Sequence, residues 1–275
     1  MTLSQAKNSH GIKRFRVILK VHNIKNETMT KDGLVIIDFM RGLLDHPEAR
    51  STFMDIIRLR HDVYSEAQPT FLALDPMDLV GTHFVFYRNG SAVGASRCVD
   101  SARCQDFQLT LPIQSQIQSC GSPTQQVAWK TFFEETRYRT HNLGMLAVTP
   151  QSRTHSHTRP SLSENSENPI NPTEALIWSC NYWGYSQGVE STCFTTNQKF
   201  KVSRWVKDLG LWPELGPIEH PLNRVPHDLI LISQMRNEYF LERAKLYSEL
   251  WNHAYVLNGA SRTILPEPER SIQAV

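Results

Sequence analysis

Two aspartates three apart, Asp75 and Asp78 in LDPMD, could hold a cationic amine or sulfonium and, through water, help remove its proton. The same pair fits an acidic turn, because Asp and Pro are common turn residues. Arg60 and Arg97 each fall on an apolar stripe, where an unpaired charge is costly, so each should meet a carboxylate. Asp75, Asp78 and Glu134 are the available partners. A structural ion network and direct contact with a substrate satisfy that pairing equally.

Other clusters have competing readings. His155 and His157, in the tract LAVTPQSRTHSHTRP (146–160), could ligate zinc from a strand, but no third ligand stands at a convincing spacing, so no metal is expected. The five cysteines, Cys98, Cys104, Cys120, Cys180 and Cys193, are odd in number and form no CxxC, which suggests ordinary thiols. Lys199, Lys201, Arg204 and Lys207 make one segment basic, either as a solvated face or as a docking surface for an acidic protein.

The chain that must position these groups has 275 residues, 40% hydrophobic and 20% charged, enough for a substantial core in one large domain or two small ones. A net charge of +2 is too mild for a nucleic-acid surface. No apolar run approaches the roughly 20 residues of a membrane helix, and the N-terminus lacks the apolar block of a signal peptide, so a cytoplasmic location is expected.

RFRVILKV (14–21) and GLVIIDF (33–39) read as strands. Ile56, Leu59, Val63 and Tyr64 recur at helical spacing over about 52–67, with Arg60 on the apolar side. Two β-rich runs flank Asn89-Gly90 within 82–99, an antiparallel hairpin in which Val93, Ala95, Arg97 and Val99 share one face. Residues 101–128 are rich in Gln, Ser and Thr, with a short helix after Pro112. NLGMLAV (142–148) is a strand. Asn171 caps a helix that begins at Pro172, carries Leu176, Cys180 and Trp183 inward and stops at Gly188. A strand (189–196), a basic helix (199–210) and a last helix (about 233–255) follow.

This order, together with four segments, resembles the acyl-homoserine lactone synthases and related long-chain N-acyl amino acid synthases of the GNAT acyltransferase superfamily. The segments are LRHDVYSEA (59–67), LDPMD (74–78), GASRCV (94–99) and the stretch 171–216, which includes a strand ending near Asn197. They span about 59–216. The family's Glu-x-Ser-Arg-Phe segment, which precedes an Ala-Val pair, is replaced here by Asn142 to Leu146 before Ala147-Val148. EETRY (134–138) offers Glu134 and Arg137 upstream, about ten residues out of place.

The resemblance implies one mixed, mostly antiparallel α/β sheet flanked by helices. It would form a single domain with its core at about 52–216, an N-terminal segment 1–50 and a C-terminal helical segment of about 229–255. It implies transfer of a fatty acyl group from a thioester to the amine of a small amino-acid-derived acceptor. Asp75, Asp78 and Glu134 would be catalytic. Arg60, Arg97, Arg137, Leu146, Ala147, Val148 and Asn197 would bind substrate, with a backbone amide near Leu146 or Ala147 as oxyanion donor and the slot for the pantetheine arm between strands 143–149 and 189–196.

Many relatives that use coenzyme A cradle its pyrophosphate in a glycine-rich loop; here Gln151-Ser-Arg153 leads into Thr-His-Ser-His. That favours an acyl carrier protein over an acyl-coenzyme A thioester as donor, docked by Arg153, Lys199, Lys201, Arg204 and Lys207, with no tightly bound cofactor. The expected acceptor is S-adenosylmethionine, giving a homoserine lactone; the alternative is an amino acid. A catalytically idle binding or regulatory module is the reading from another class, and a coenzyme A-dependent acetyltransferase is a third.

Overall fold

The structure, a computed structural model, describes residues 4–7, 13–16, 33–65, 73–136, 139–153, 170–189, 191–198, 215–220, 225–232, 247, 250, 251 and 253–259. A separate hairpin pairs β1 (Ser4–Lys7) with β2 (Lys13–Arg16). The main sheet has eight strands: β3 (Gly33–Asp38), β4 (Thr82–Arg88), β5 (Ser91–Asp100), β6 (His141–Val148), β7 (Thr192–Asn197), β8 (Pro217–Glu219), β9 (Pro226–Ile232) and β10 (Tyr255–Asn258). Their order across the sheet is β10-β3-β4-β5-β6-β7-β9-β8. Only β10 with β3 and β6 with β7 run parallel; the other pairs are antiparallel.

Alternation along the strands gives the sheet two buried faces. Val35, Ile37, Val85, Ala95 and Ala147 point to one side, where α1 (Pro47–Tyr64) lays down Phe53, Ile56 and Leu59. The helix opens with His46 as cap and Pro47 in its first turn, where proline's missing N–H has no cost. Leu34, Ile36, Phe84, Phe86, Cys98, Leu143 and Val148 point the other way, onto α7 (Pro172–Ser186) through Ala175, Leu176, Trp178 and Trp183. Asn171 caps α7 by accepting from the amides of Thr173 and Glu174, and Gly188, at a φ of 78°, follows its end, as the sequence predicts.

The β4–β5 hairpin turns at Asn89 and Gly90, with φ of 50° and 76°, the pair of positive angles the dipeptide was expected to supply. The Gln-rich stretch after β5 departs from expectation. It folds into three helices, α3 (Ser101–Asp106), α4 (Pro112–Cys120) and α5 (Pro123–Glu135), where one was expected. Two of its glutamines, Gln116 and Gln125, are buried: Gln125 completes a capping box with Ser122 and donates to the carbonyls of Leu215, Gly216 and Pro217.

Three short helices complete the described elements: a 3-10 turn (Met40–Leu43) after β3, α2 (Met77–Val80) before β4 and α6 (Pro150–Arg153) after β6. A second correction concerns the expected C-terminal helical segment of about 229–255. Residues 229–232 lie in β9, because Leu229 to Ile232 form an unbroken apolar run buried on both sheet faces, and Tyr255 already belongs to β10. The helix expected over 199–210 lies outside the described residues. No helix among the described residues is long and apolar enough to cross a membrane.

Candidate active site

Three elements from distant parts of the chain bring charged groups together on the α1 face. Arg60 comes from the inner side of α1, Asp75 and Asp78 from the turn that forms α2, and Arg97 from β5. Asp78 Oδ1 accepts from Arg60 Nη1 at 2.7 Å and from Arg97 Nη1 at 2.8 Å; its Oδ2 accepts from the Asp75 backbone amide at 2.8 Å. Arg97 also grips Asp75 with both Nη atoms, at 2.6 and 3.1 Å, and Asp75 Oδ1 accepts from the Met77 amide. Each arginine thus meets the carboxylate its apolar neighbourhood demands.

The two aspartates differ in access. The Asp78 side chain is 0% exposed and both its oxygens are engaged, whereas that of Asp75 is 34% exposed. Burial alone would raise the Asp78 carboxyl, but the Arg97 and Arg60 guanidiniums outweigh it and hold the group below the usual carboxylate range. Asp78 therefore anchors the cluster, and Asp75 is the carboxylate that faces outward.

His83, fully buried on β4 beside Arg97, completes the cluster. Its Nε2 donates to the Asp78 carbonyl at 2.8 Å, and its Nδ1 faces Arg60 Nη2 at 3.4 Å. A guanidinium only donates, so Nδ1 is an acceptor and the ring is neutral. Burial, reinforced by the Arg60 charge, lowers its pKa to about 3. Nothing in THFVFYR marked this histidine as different from a core filler.

Next to Arg97 in the sheet stands Gly144 of β6. No described atom lies within 4 Å of where its Cβ would be, so among the described residues the sheet face beside the Asp75–Arg97 pair is open. Immediately beyond, β6 bulges. Ala95 pairs with Ala147 and Arg97 with Gly144, so Met145 and Leu146 together oppose Ser96, and Met145 takes a φ of 53°. The Tyr64 hydroxyl, at the end of α1, donates to the Leu146 carbonyl.

On its other edge β6 pairs with β7 at only two positions, His141 with Thr192 and Asn142 with Cys193. β7 continues alongside β9 to Asn197, and β6 alongside β5 to Val148. Beyond Asn142 and Cys193 the two strands share no pairing, which leaves a gap in the ladder between Leu143–Val148 and Phe194–Asn197. Ala147 and Val148 are buried in the β6 wall and Leu146 half-buried; Asn197, also half-buried, ends the β7 wall opposite His227.

The remaining predicted positions stand apart or out of view. Glu134 is exposed on α5, 4.0 Å from Lys130, its one ion-pair partner among the described residues. Arg153 closes α6. Arg137, Lys199, Lys201, Arg204, Lys207 and the histidines His155 and His157 lie outside the described residues. Among the described residues no group of three or more His, Cys, Asp or Glu side chains could hold a metal ion.

One further line of groups has the look of a nucleophile and its base: Cys98 Sγ lies 3.0 Å from His141 Nδ1, and His141 Nε2 3.5 Å from Asp100 Oδ2. The thiol is sealed under α7, however, and burial pushes its pKa well above the ordinary value, so it is not a thiolate. Gly184 of α7 explains the seal: a Cβ there would stand 2.4 Å from His141 Nδ1.

No protein-family model matches the chain, and no curated protein sequence matches it. Solved structures that resemble it are acyltransferases. They include BjaI, a CoA-dependent acyl-homoserine lactone synthase, with SAM and isopentyl-CoA (12% identity, TM-score 0.49, covering 82% of this chain and 93% of that one). MesI, also a CoA-dependent acyl-homoserine lactone synthase, has 17% identity and a TM-score of 0.46 over 78% of this chain and 95% of that one. FeeM, an N-acyl amino acid synthase from uncultured soil microbes, has 15% identity and a TM-score of 0.44 over 75% of this chain and 93% of that one. Likeness at this level assigns no activity, which has to come from the geometry.

Proposed function

We propose that this protein is an N-acyltransferase that moves a fatty acyl group from a thioester to the amine of a small amino-acid-derived acceptor. The observation that carries the reading is the parting of β6 from β7 beside a bulge, with Gly144, just before that bulge, opposite the arginine that holds the partly exposed carboxylate of Asp75. An extended acyl-thioester arm fits a slot walled by strand edges, because a strand that its neighbour stops pairing can offer backbone groups, such as the Thr195 amide, to the amide groups of the arm.

In this reading the acceptor occupies the open face over Gly144, its cationic end on Asp75. Asp75, directly or through one water, takes the proton that the ammonium must lose before its nitrogen attacks. The new C–N bond forms at the thioester carbonyl, an amide near Leu146 or Ala147 steadies the oxyanion, and the C–S bond then breaks. The nitrogen loses a second proton once the C–N bond has formed, and the departing thiolate takes it, while the first passes from Asp75 to solvent, so the step is balanced. Arg97 positions Asp75, while Asp78, Arg60 and His83 hold Arg97.

The sequence resemblance makes S-adenosylmethionine the first candidate acceptor, with lactone closure after acylation, and a free amino acid the second. The donor is a thioester of acyl carrier protein or of coenzyme A; BjaI and MesI are both CoA-dependent enzymes. Incubation with both kinds of thioester, crossed with S-adenosylmethionine and the free amino acids and followed by mass spectrometry, tests the assignment. The expected result is an N-acylated product from at least one pairing. Product with amino acids but not S-adenosylmethionine selects the second acceptor, and no acyl product from any pairing overturns the proposal.

A further inference from the structure

We infer that Asn142 is a wedge that ends the β6–β7 ladder and so fixes where the cleft begins. Its relevance to a thioester rests on the acyl-transfer reading above; the wedge itself does not.

In a parallel pair every second residue directs its N–H and C=O at the neighbouring strand. The His141 amide donates to the Ser191 carbonyl at 3.1 Å, so the next residue of β6 facing β7 is Leu143. The last pair, Asn142 with Cys193, uses the Leu143 amide and the Cys193 carbonyl, so a continued ladder would next join the Thr195 amide to the Leu143 carbonyl. Asn142 Nδ2 takes the Leu143 carbonyl instead, at 3.0 Å, and also bonds the Cys193 carbonyl at 3.1 Å. One side-chain amide thus occupies the acceptor that the next rung needs and ties it to the last paired residue of β7.

The other end of the side chain is tied as well. Asn142 Oδ1 accepts from the Ile113 amide at 3.3 Å, in the first turn of α4, where a helical N–H has no partner within the helix. With only 6% of the residue exposed, all three bonds are sheltered from water. These partners fix the orientation of the side chain, since the reverse would set its oxygen against two carbonyls. A carboxylate would meet that same repulsion, and an apolar residue would leave the Leu143 carbonyl to pair across the gap.

The far wall hangs on the same helix. Thr195 Oγ1 donates to Gln116 Oε1 at 3.2 Å, and Gln116 Nε2 donates to the Glu219 carbonyl at 3.4 Å. Helix α4 therefore holds the vertex through Ile113 and the β7 wall through Gln116. By strand alternation, the Thr195 amide is directed across the gap toward β6.

The test compares wild type with Asn142→Val by residue-resolved amide hydrogen exchange. Valine lets the strands pair one rung further, so the Thr195 amide should exchange at least tenfold more slowly. KM for the acyl thioester should rise at least tenfold while KM for the amine stays within twofold. Unchanged exchange at the Thr195 amide in a folded variant overturns the wedge. If Asn142→Val does not fold, wild type decides: the Nδ2 protons of Asn142 should exchange at least a hundredfold more slowly than those of exposed Asn89, and comparable rates overturn it. Should wild type transfer no acyl group from any thioester, the acyl-transfer reading fails while the exchange results still decide the wedge.

Discussion

Two buried polar clusters flank the start of the β6 bulge, and they are held by different forces. Around Asp78, two guanidiniums and two carboxylates neutralise one another, with a neutral imidazole filling the remaining corner. Around Asn142, formally neutral groups meet backbone amides and carbonyls. The ionic cluster joins α1, α2 and β5 through fixed charges, each of which becomes a liability if its partner is lost. The neutral cluster forms ordinary hydrogen bonds, which suits a place where two strands must part rather than lock.

The contrast is sharpest at Asp78. Asp78→Ala leaves Arg60 and Arg97 facing each other in the interior, and breaking a buried ion pair in this way costs about 3–5 kcal/mol. Urea denaturation should show a loss of that size, well above what Asn142→Val produces. A loss below about 1 kcal/mol would mean that water reaches the cluster and that the two regions do not differ as described.

Acid should find the ionic cluster before the neutral one. His83 has a pKa of about 3 in the fold, against about 6.5 in an unfolded chain. Between those values the unfolded chain binds a proton that the folded one refuses, so stability falls as pH drops through that window and levels off below it. At pH 5 the cost is about 2 kcal/mol. Unfolding measured from pH 7.5 to 5 should show this slope in wild type and lose it in His83→Gln, whereas a shared slope would place the proton elsewhere.

The smallest expected change in stability separates the two aspartates within the cluster. Asp75→Asn alters a carboxylate that is partly in water, and should cost about 1 kcal/mol or less. Its kcat/KM, in contrast, should fall by about 100-fold, the scale of a lost general base. A thermal midpoint lowered as far as in Asp78→Ala would make Asp75 a structural anchor too.

How much of this could be read in the sequence depended on the range of the interaction. Arg60 and Arg97 announced themselves locally, because a charge on an apolar stripe must find a partner, and the hairpin at Asn89-Gly90 is set by two adjacent residues. His83 was invisible: its neutrality follows from Arg60, 23 residues earlier in the chain, facing its Nδ1. Asn142 was noticed only as a residue without charge. Its function depends on Cys193, 51 residues later, and on a strand pairing that stops. The helices around 101–135 were masked by glutamines whose partners, such as Leu215 to Pro217 for Gln125, come from far along the chain.

The order of the sheet also bears on how the chain comes to be folded. Strand β10 lies parallel to β3, with Tyr255 beside Val35 and Asn258 beside Asp38. The Gly259 amide then donates to the Asp38 carbonyl at 3.1 Å. One flank of β3 is therefore an uncapped, strongly hydrophobic strand edge throughout synthesis, until residue 258 has left the ribosome. Nascent chains of this protein carry a template for pairing with one another, and truncation before Tyr255 would make that exposure permanent, favouring aggregation over loss of a single contact.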